Sequence, residues 1–251
     1  MALAQTRGSY HCTIYRWVIV VSLVVALTHS WNLAAPKAPQ VAIKTTSPVA
    51  TAPAPVPKIP PFDKNKYSHI DPASLRVVVN KQHPMNPKDY VPSDIILGRD
   101  GYQYSLRISA DLNALVDAAA QQGVTLNMSS AYRSYANQTA LFNNYTAQYG
   151  QATAETISAR PGYSEHQTGL AVDIGGASSP NCNFNACFGD TVEGKWLAAH
   201  ANDFGFVIRY QKETTNLTGY AYEPWHVRYV GHELAAEYKK EGTTSLEAFL
   251  T

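Results

Sequence analysis

The chain has 251 residues, 45% hydrophobic and 16% charged, with a formal net charge of +1; that length suits one sizeable domain plus extras, since domains run to roughly 100–150 residues. The charge is uneven: up to Phe62 there are five Lys or Arg and no acid, and from Asp63 onward fifteen basic residues face nineteen acidic ones. The folded part is mildly acidic and lacks the basic stripe that nucleic-acid binding needs, so no nucleic-acid partner is expected.

Residues 1–33 read as an export segment. Arg7 and Arg16 precede the apolar run WVIVVSLVVAL at 17–27, a charged n-region followed by an h-region. The run is short against the roughly 20 apolar residues of a membrane span. It becomes a single-pass anchor if the following THSWNLAA sinks partly into the interface. Leu33-Ala34-Ala35 only weakly resembles a cleavage site, so an uncleaved anchor is favoured over a cleaved signal. The basic flank places the N-terminus inside and everything after it outside. Cys12 precedes the run and is expected to stay free. Residues 34–62 form a spacer: eight prolines and seven alanines within 34–61, without apolar periodicity, describe an extended, semi-rigid linker. The expected catalytic domain is 63–251.

Within that domain, SADLNALVDAAAQQG (109–123) has apolar residues at helical spacing, Ser109 as a cap and Gly123 as a stop. VTLNMSSAY (124–132) alternates like a strand. SYANQTALFNNYTAQYG (134–150) is a second helix, and GLAVDI (169–174) a short buried strand. TVEGKWLAAHANDFG (191–205) is a third helix closed by Gly205. FVIRY (206–210) and WHVRYV (225–230) are strands, and HELAAEYKKEG (232–242) is the last helix. The order is mixed and has no βαβ repeat, which points to an α+β fold with a small, mainly antiparallel sheet flanked by helices. Cys182 and Cys187, in CNFNAC, are spaced for a small loop disulfide, which an exported protein permits; a thiolate zinc pair is the alternative.

The chemistry concentrates in SEHQTGLAVDIGG (164–176). His166 lies on the loop entering a strand, Asp173 lies near that strand's end, and Gly169 permits the tight turn that brings them together. A catalytic zinc site needs a third ligand and an open position, and YEPWHVRYV offers His226. Glu223, three residues earlier, is placed to take a proton from a water and return it to a leaving amine. Singly, each of these residues has an ordinary structural reading, as surface histidine, turn former or core residue. His200 and His232 are read as structural, and His69 and His83 are assigned no role.

Four stretches carry a family resemblance. SEHQTGLAVDI resembles the S-x-H-x-x-G-x-A-x-D motif of the VanY-related zinc D-alanyl-D-alanine carboxypeptidases, and YEPWHVRYVG resembles their E-x-W-H motif. SSAYRSYANQTALFNNY (129–145) and VVVNKQHPMNPKDYVPSDI (77–95) are similar to two further family segments. The resemblance covers about residues 75 to 240 and implies a Hedgehog/DD-peptidase-like fold. It implies zinc ligands at His166, Asp173 and His226, catalysis by Glu223, and Arg133 holding a substrate carboxylate or the developing oxyanion. It implies that Ser164 and Gln138 complete the substrate pocket. The expected activity is removal of the terminal D-alanine from peptidoglycan stem peptides by a monomeric, extracytoplasmic enzyme. The alternatives are an L,D-carboxypeptidase acting on tetrapeptide stems, a dipeptidase or endopeptidase, and a non-catalytic zinc-bearing wall-binding module comparable to the Hedgehog signalling domain. The cysteine loop at 176–190 departs from the family pattern and leaves the pocket rim open.

Overall fold

The computed structural model describes residues 59–63 and 65–249. The expected export segment, Cys12 and nearly all of the Pro/Ala spacer lie outside them. Among the described residues no helix is long and apolar enough to cross a membrane. Phe62, the last residue of the expected spacer, packs against one of the domain's apolar clusters, so the fold begins slightly earlier than the composition suggests.

A hairpin comes first, β1 (Ile95–Leu97) and β2 (Gln103–Ser105), with Ile96 opposite Tyr104. Next comes α1 (Ser109–Gln121), burying Leu112, Leu115, Val116 and Ala119. Ser109, expected as its cap, is already helical at φ −58° and ψ −45°. A 3-10 turn, Leu106–Ile108, has taken the capping place, and Ser105 caps that turn by accepting from the Arg107 N–H. After β3 (Leu126–Ser130), α2 (Tyr135–Tyr149) starts where expected, with Ser134 Oγ accepting from Asn137 N. Gly150 ends it, but a further helix, α3 (Gln151–Ile157), resumes at once.

The remaining elements are β4 (Ala171–Gly176), α4 (Val192–His200), β5 (Phe206–Tyr210), the single turn α5 (Thr215–Thr218), β6 (Glu223–Tyr229) and α6 (His232–Glu241). The expected third helix breaks at His200 into a 3-10 turn, Ala201–Phe204, closed by Gly205 in the left-handed region.

Four strands form one antiparallel sheet in the order β3-β4-β6-β5. Side chains alternate between its faces. Val172 and Ile174 of β4, Phe206 and Ile208 of β5, and Val227 and Tyr229 of β6 join one apolar core with the buried face of α1 and with Trp196 and Leu197 of α4. Among the alternate positions, Asp173, His226, Arg228 and Arg209 are buried polar or charged residues, while Val207 joins a second apolar cluster. One face of the sheet is therefore conventional core, and the other carries the chemistry. The sheet is mixed with helices as the α+β expectation requires.

Candidate active site

Three strands place the centre. Ser130 of β3 pairs with Asp173 of β4, which pairs in turn with His226 of β6, so the three residues stand side by side across the sheet. Register breaks flank this row, one between Met128 and Ser130 and one between Ile208 and Tyr210, the latter setting Tyr210 opposite Glu223. Such bulges re-aim side chains. His166 arrives from a 3-10 turn, Glu165–Thr168, ended by Gly169 at φ 69°. Any side chain there is strained and crowded: a Cβ on Gly169 would lie 2.6 Å from Ile95 Cδ1 and 3.1 Å from Ser105 N. The glycine pair after Asp173 is also spatial. A Cβ on Gly175 would lie 2.9 Å from the Asn183 amide, and one on Gly176 2.6 Å from the Glu193 carboxylate carbon.

One ligand atom from each of His166, Asp173 and His226 lies within 4.8 Å of the others, and all three residues are buried. The hydrogen bonds fix what each atom presents. His166 Nδ1 lies 2.8 Å from the Ala131 carbonyl; a carbonyl can only accept, so Nδ1 bears the hydrogen. Burial lowers the His166 pKa, which keeps the ring neutral. Its Nε2 lone pair therefore faces Asp173 Oδ2, another acceptor, 3.1 Å away. Two acceptors at that separation call for a cation. Asp173 Oδ1 is buried without a hydrogen-bond partner, although His226 Nδ1 stands 3.1 Å from it. Burial opposes the charge of Asp173, yet its carboxyl is held far below the usual range, with His226 beside it. Two imidazole nitrogens and one carboxylate, with the imidazole planes 84° apart, form a donor set suited to zinc.

His226 also has a partner that the motifs did not announce. Its Nε2 lies 3.3 Å from Glu165 Oε2, and Glu165 Oε1 accepts from Arg209 Nε at 2.7 Å and Arg228 Nη1 at 2.8 Å. Burial alone would raise the Glu165 pKa; Arg209, Arg228 and His226 override it and keep the group ionised. This carboxylate orients the His226 ring and leaves Nδ1 for the centre, as outer partners of metal-bound histidines do. The sequence did contain a hint: FVIRY and WHVRYV each carry an arginine among apolar strand residues, and a buried guanidinium requires a carboxylate.

Glu223 Oε2 is 3.9 Å from His226 Nδ1. Its side chain keeps 24% exposure to the cleft, yet it sits deep enough for burial to push it up to about 7. Arg133 reaches the same cleft. Its Nη1 donates to Gln138 Oε1 and its Nη2 to Ser130 Oγ, each at 2.9 Å. Among the described residues no carboxylate forms an ion pair with it. Ser164 lines the cleft, as expected of a pocket residue. Gln138, expected to meet substrate, is instead fully buried behind Arg133 and donates to Ser158 Oγ and the Ala159 carbonyl. It holds the guanidinium and does not line the cleft. Cys182 and Cys187 are joined by a disulfide. His200, His232, His69 and His83 are not among the residues lining the cleft. The whole depression encloses about 610 Å³.

The family profile of VanY, described as D-alanyl-D-alanine carboxypeptidase, matches residues 103–232, a stretch that contains His166, Asp173, His226, Glu223 and Arg133. The chain belongs to the VanY family. It is 38% identical over 188 residues to YodJ of Bacillus subtilis (strain 168), covering 71% of this chain and 68% of that protein. It is 37% identical over 185 residues to a D-alanyl-D-alanine carboxypeptidase of Enterococcus faecalis, covering 69% of this chain and 65% of that one. Among solved structures, the LdcB LD-carboxypeptidase superposes with a TM-score of 0.65 at 36% identity, over 71% of this chain and 86% of that one. A VanY D,D-pentapeptidase in complex with Zn(II) does so at 0.60 and 34%, over 70% and 98%. This VanY-family chain is thus a cell-wall carboxypeptidase with the mixed antiparallel fold of its relatives.

Proposed function

We propose that the protein is a zinc-dependent D,D-carboxypeptidase that removes the C-terminal D-alanine from peptidoglycan stem peptides. The observation that carries this reading is one cleft holding three parts: the His166, Asp173, His226 donor set, a carboxylate of near-neutral pKa at Glu223, and a cation, Arg133, with only neutral partners. Zinc in a relative's structure supports the choice of metal. When bound, it supplies Lewis acidity toward the scissile carbonyl and acidifies water. Glu223 takes the proton of the attacking water and passes it to the departing amine of the terminal residue. Arg133 presents a planar fork to the terminal carboxylate in a partly dry site, where a charge-assisted pair is strong. The proposal includes an extracytoplasmic location and a monomeric enzyme, and the membrane as a partner through residues 1–33; the sequence pattern of those residues and the disulfide support the location.

A second reading is an L,D-carboxypeptidase acting on tetrapeptide stems, favoured by the likeness to LdcB and to the L,D-carboxypeptidase DacB of Streptococcus pneumoniae, 39% identical with a TM-score of 0.54. Product analysis on defined penta- and tetrapeptide stems, with and without a chelator, separates the two. Cleavage should require metal, and a stem ending in a free carboxylate should be cut far faster than its C-terminal amide, because the amide leaves Arg133 unpaired. Arg133→Ala should shrink that preference while metal stays bound. Equal cleavage of acid and amide by the wild type would sink carboxylate recognition, and full activity without metal would sink the zinc mechanism.

A further inference from the structure

Phe184 stands in a conformation that bulky residues avoid. Its φ is +58°, a left-handed backbone that is strained for an L-residue. The loop around it holds that conformation in place. The Cys182–Cys187 disulfide closes the loop. Asn183 Oδ1 accepts from Gly176 N at 2.9 Å, and Asn185 Nδ2 donates to the carbonyls of Asn181 and Asn183. Gly175 leaves the room that Asn183 fills. The result is a large apolar side chain that stays 49% exposed and belongs to no apolar cluster of the core. It lines the catalytic cleft, edge-on to Trp225 with ring centroids 6.3 Å apart and planes at 69°. Strain of this kind, held by a clamp and spent on an exposed ring, points to recognition and not to packing.

The register fixes where this aromatic pair lies. Beyond Ser130, opposite Asp173, the chain continues toward the start of β4, and there it carries Arg133. The loop with Phe184 is tied to Gly176, at the other end of β4. The Arg133 guanidinium folds back to Ser130 Oγ, level with Asp173, while Phe184 and Trp225 line the same cleft from the side of Gly176. A carboxypeptidase substrate has a single residue beyond the scissile bond, and Arg133 takes its carboxylate. With that carboxylate at Arg133, the cleft wall formed by Phe184 and Trp225 is left to the acyl side.

We propose that the disulfide-closed loop is a substrate-recognition element in which Phe184, with Trp225, forms an apolar subsite for the aliphatic side chains of the acyl part of the stem peptide. This rests on the carboxypeptidase reading above. The test uses the metal-loaded protein and two substrates: whichever stem peptide the wild type cleaves, and the N-acetylated dipeptide made of that stem's last two residues. Phe184→Ala should lower kcat/KM for the stem about five- to ten-fold, chiefly through KM, as expected for losing an aromatic contact. The stem-to-dipeptide ratio should fall with it, metal content should hold, and Phe184→Tyr should restore the ratio. A ratio in Phe184→Ala equal to that of the wild type would overturn the subsite. If the wild type cleaves neither substrate, the carboxypeptidase reading itself has failed, and the two failures are distinct.

Discussion

Glu223 and Asp173 share one cleft, and their surroundings push them in opposite directions. Asp173 faces the nitrogens of His166 and His226, and its carboxyl stays far below the usual range despite burial. Glu223 stands farther out, and burial lifts it to about 7. Carboxylates separated in this way commonly divide their roles, one permanently charged and one exchanging protons. Glu223→Gln should therefore retain metal while turnover falls by about 10²–10⁴, the usual worth of general acid–base help. Metal content and single-turnover rates check this. A Glu223→Gln protein that loses its metal would make Glu223 a ligand.

At the scale of elements, the strand FVIRY is β5 residue for residue, because five buried residues bounded by Gly205 leave little choice. The helices α1, α2 and α6 were legible with small shifts at their ends, while the expected third helix stops at His200. The β1–β2 hairpin was not, since three residues per strand show no alternation, and α3 was missed because Gly150 announces a stop and not a restart. The donor set was readable because its members sit in two compact motifs. Glu165 lies inside the first of them and was passed over. Its role depends on Arg209, 44 residues away, and Arg228, 63 residues away, and only the sheet register brings these together. The turn that carries both Glu165 and His166 hinges on Gly169. Gly169→Ala adds a left-handed alanine and a methyl facing Ile95 Cδ1 and the backbone of Ser105. The expected loss is about 1–3 kcal/mol, read as a lower denaturant midpoint, with Ile95→Ala recovering part of it. An unchanged midpoint would show that the turn does not constrain the fold.

Across the whole molecule, two guanidiniums and two carboxylates make a buried, charge-balanced cluster. Arg209 bridges Glu165 and Glu247, and Arg228 joins Glu165 to the Leu75 and Val77 carbonyls. Glu247, from the C-terminal turn, also accepts from Asn80 and Ser245. The cluster thus ties the entry segment, the C-terminus, both strands and the turn of His166 into one unit. Its effect on stability depends on pH. Burial alone would raise Glu247, but Arg209 and the hydrogen bonds outweigh it and bring it down to about 2, against about 4.3 for an unfolded glutamate. A depressed carboxyl stabilises the fold above its unfolded pKa, and that stabilisation is lost as pH falls through the folded value. Glu247 should contribute on the order of 3 kcal/mol at neutral pH, fading between about 4.3 and 2. Glu247→Gln should be less stable than wild type by that order at pH 7, and the gap should close as the medium is acidified through this window. Urea unfolding from pH 7 down to pH 2 measures it. A gap that stays constant with pH would mean that Glu247 acts by packing and not by charge, and that the cluster is held by Glu165 alone.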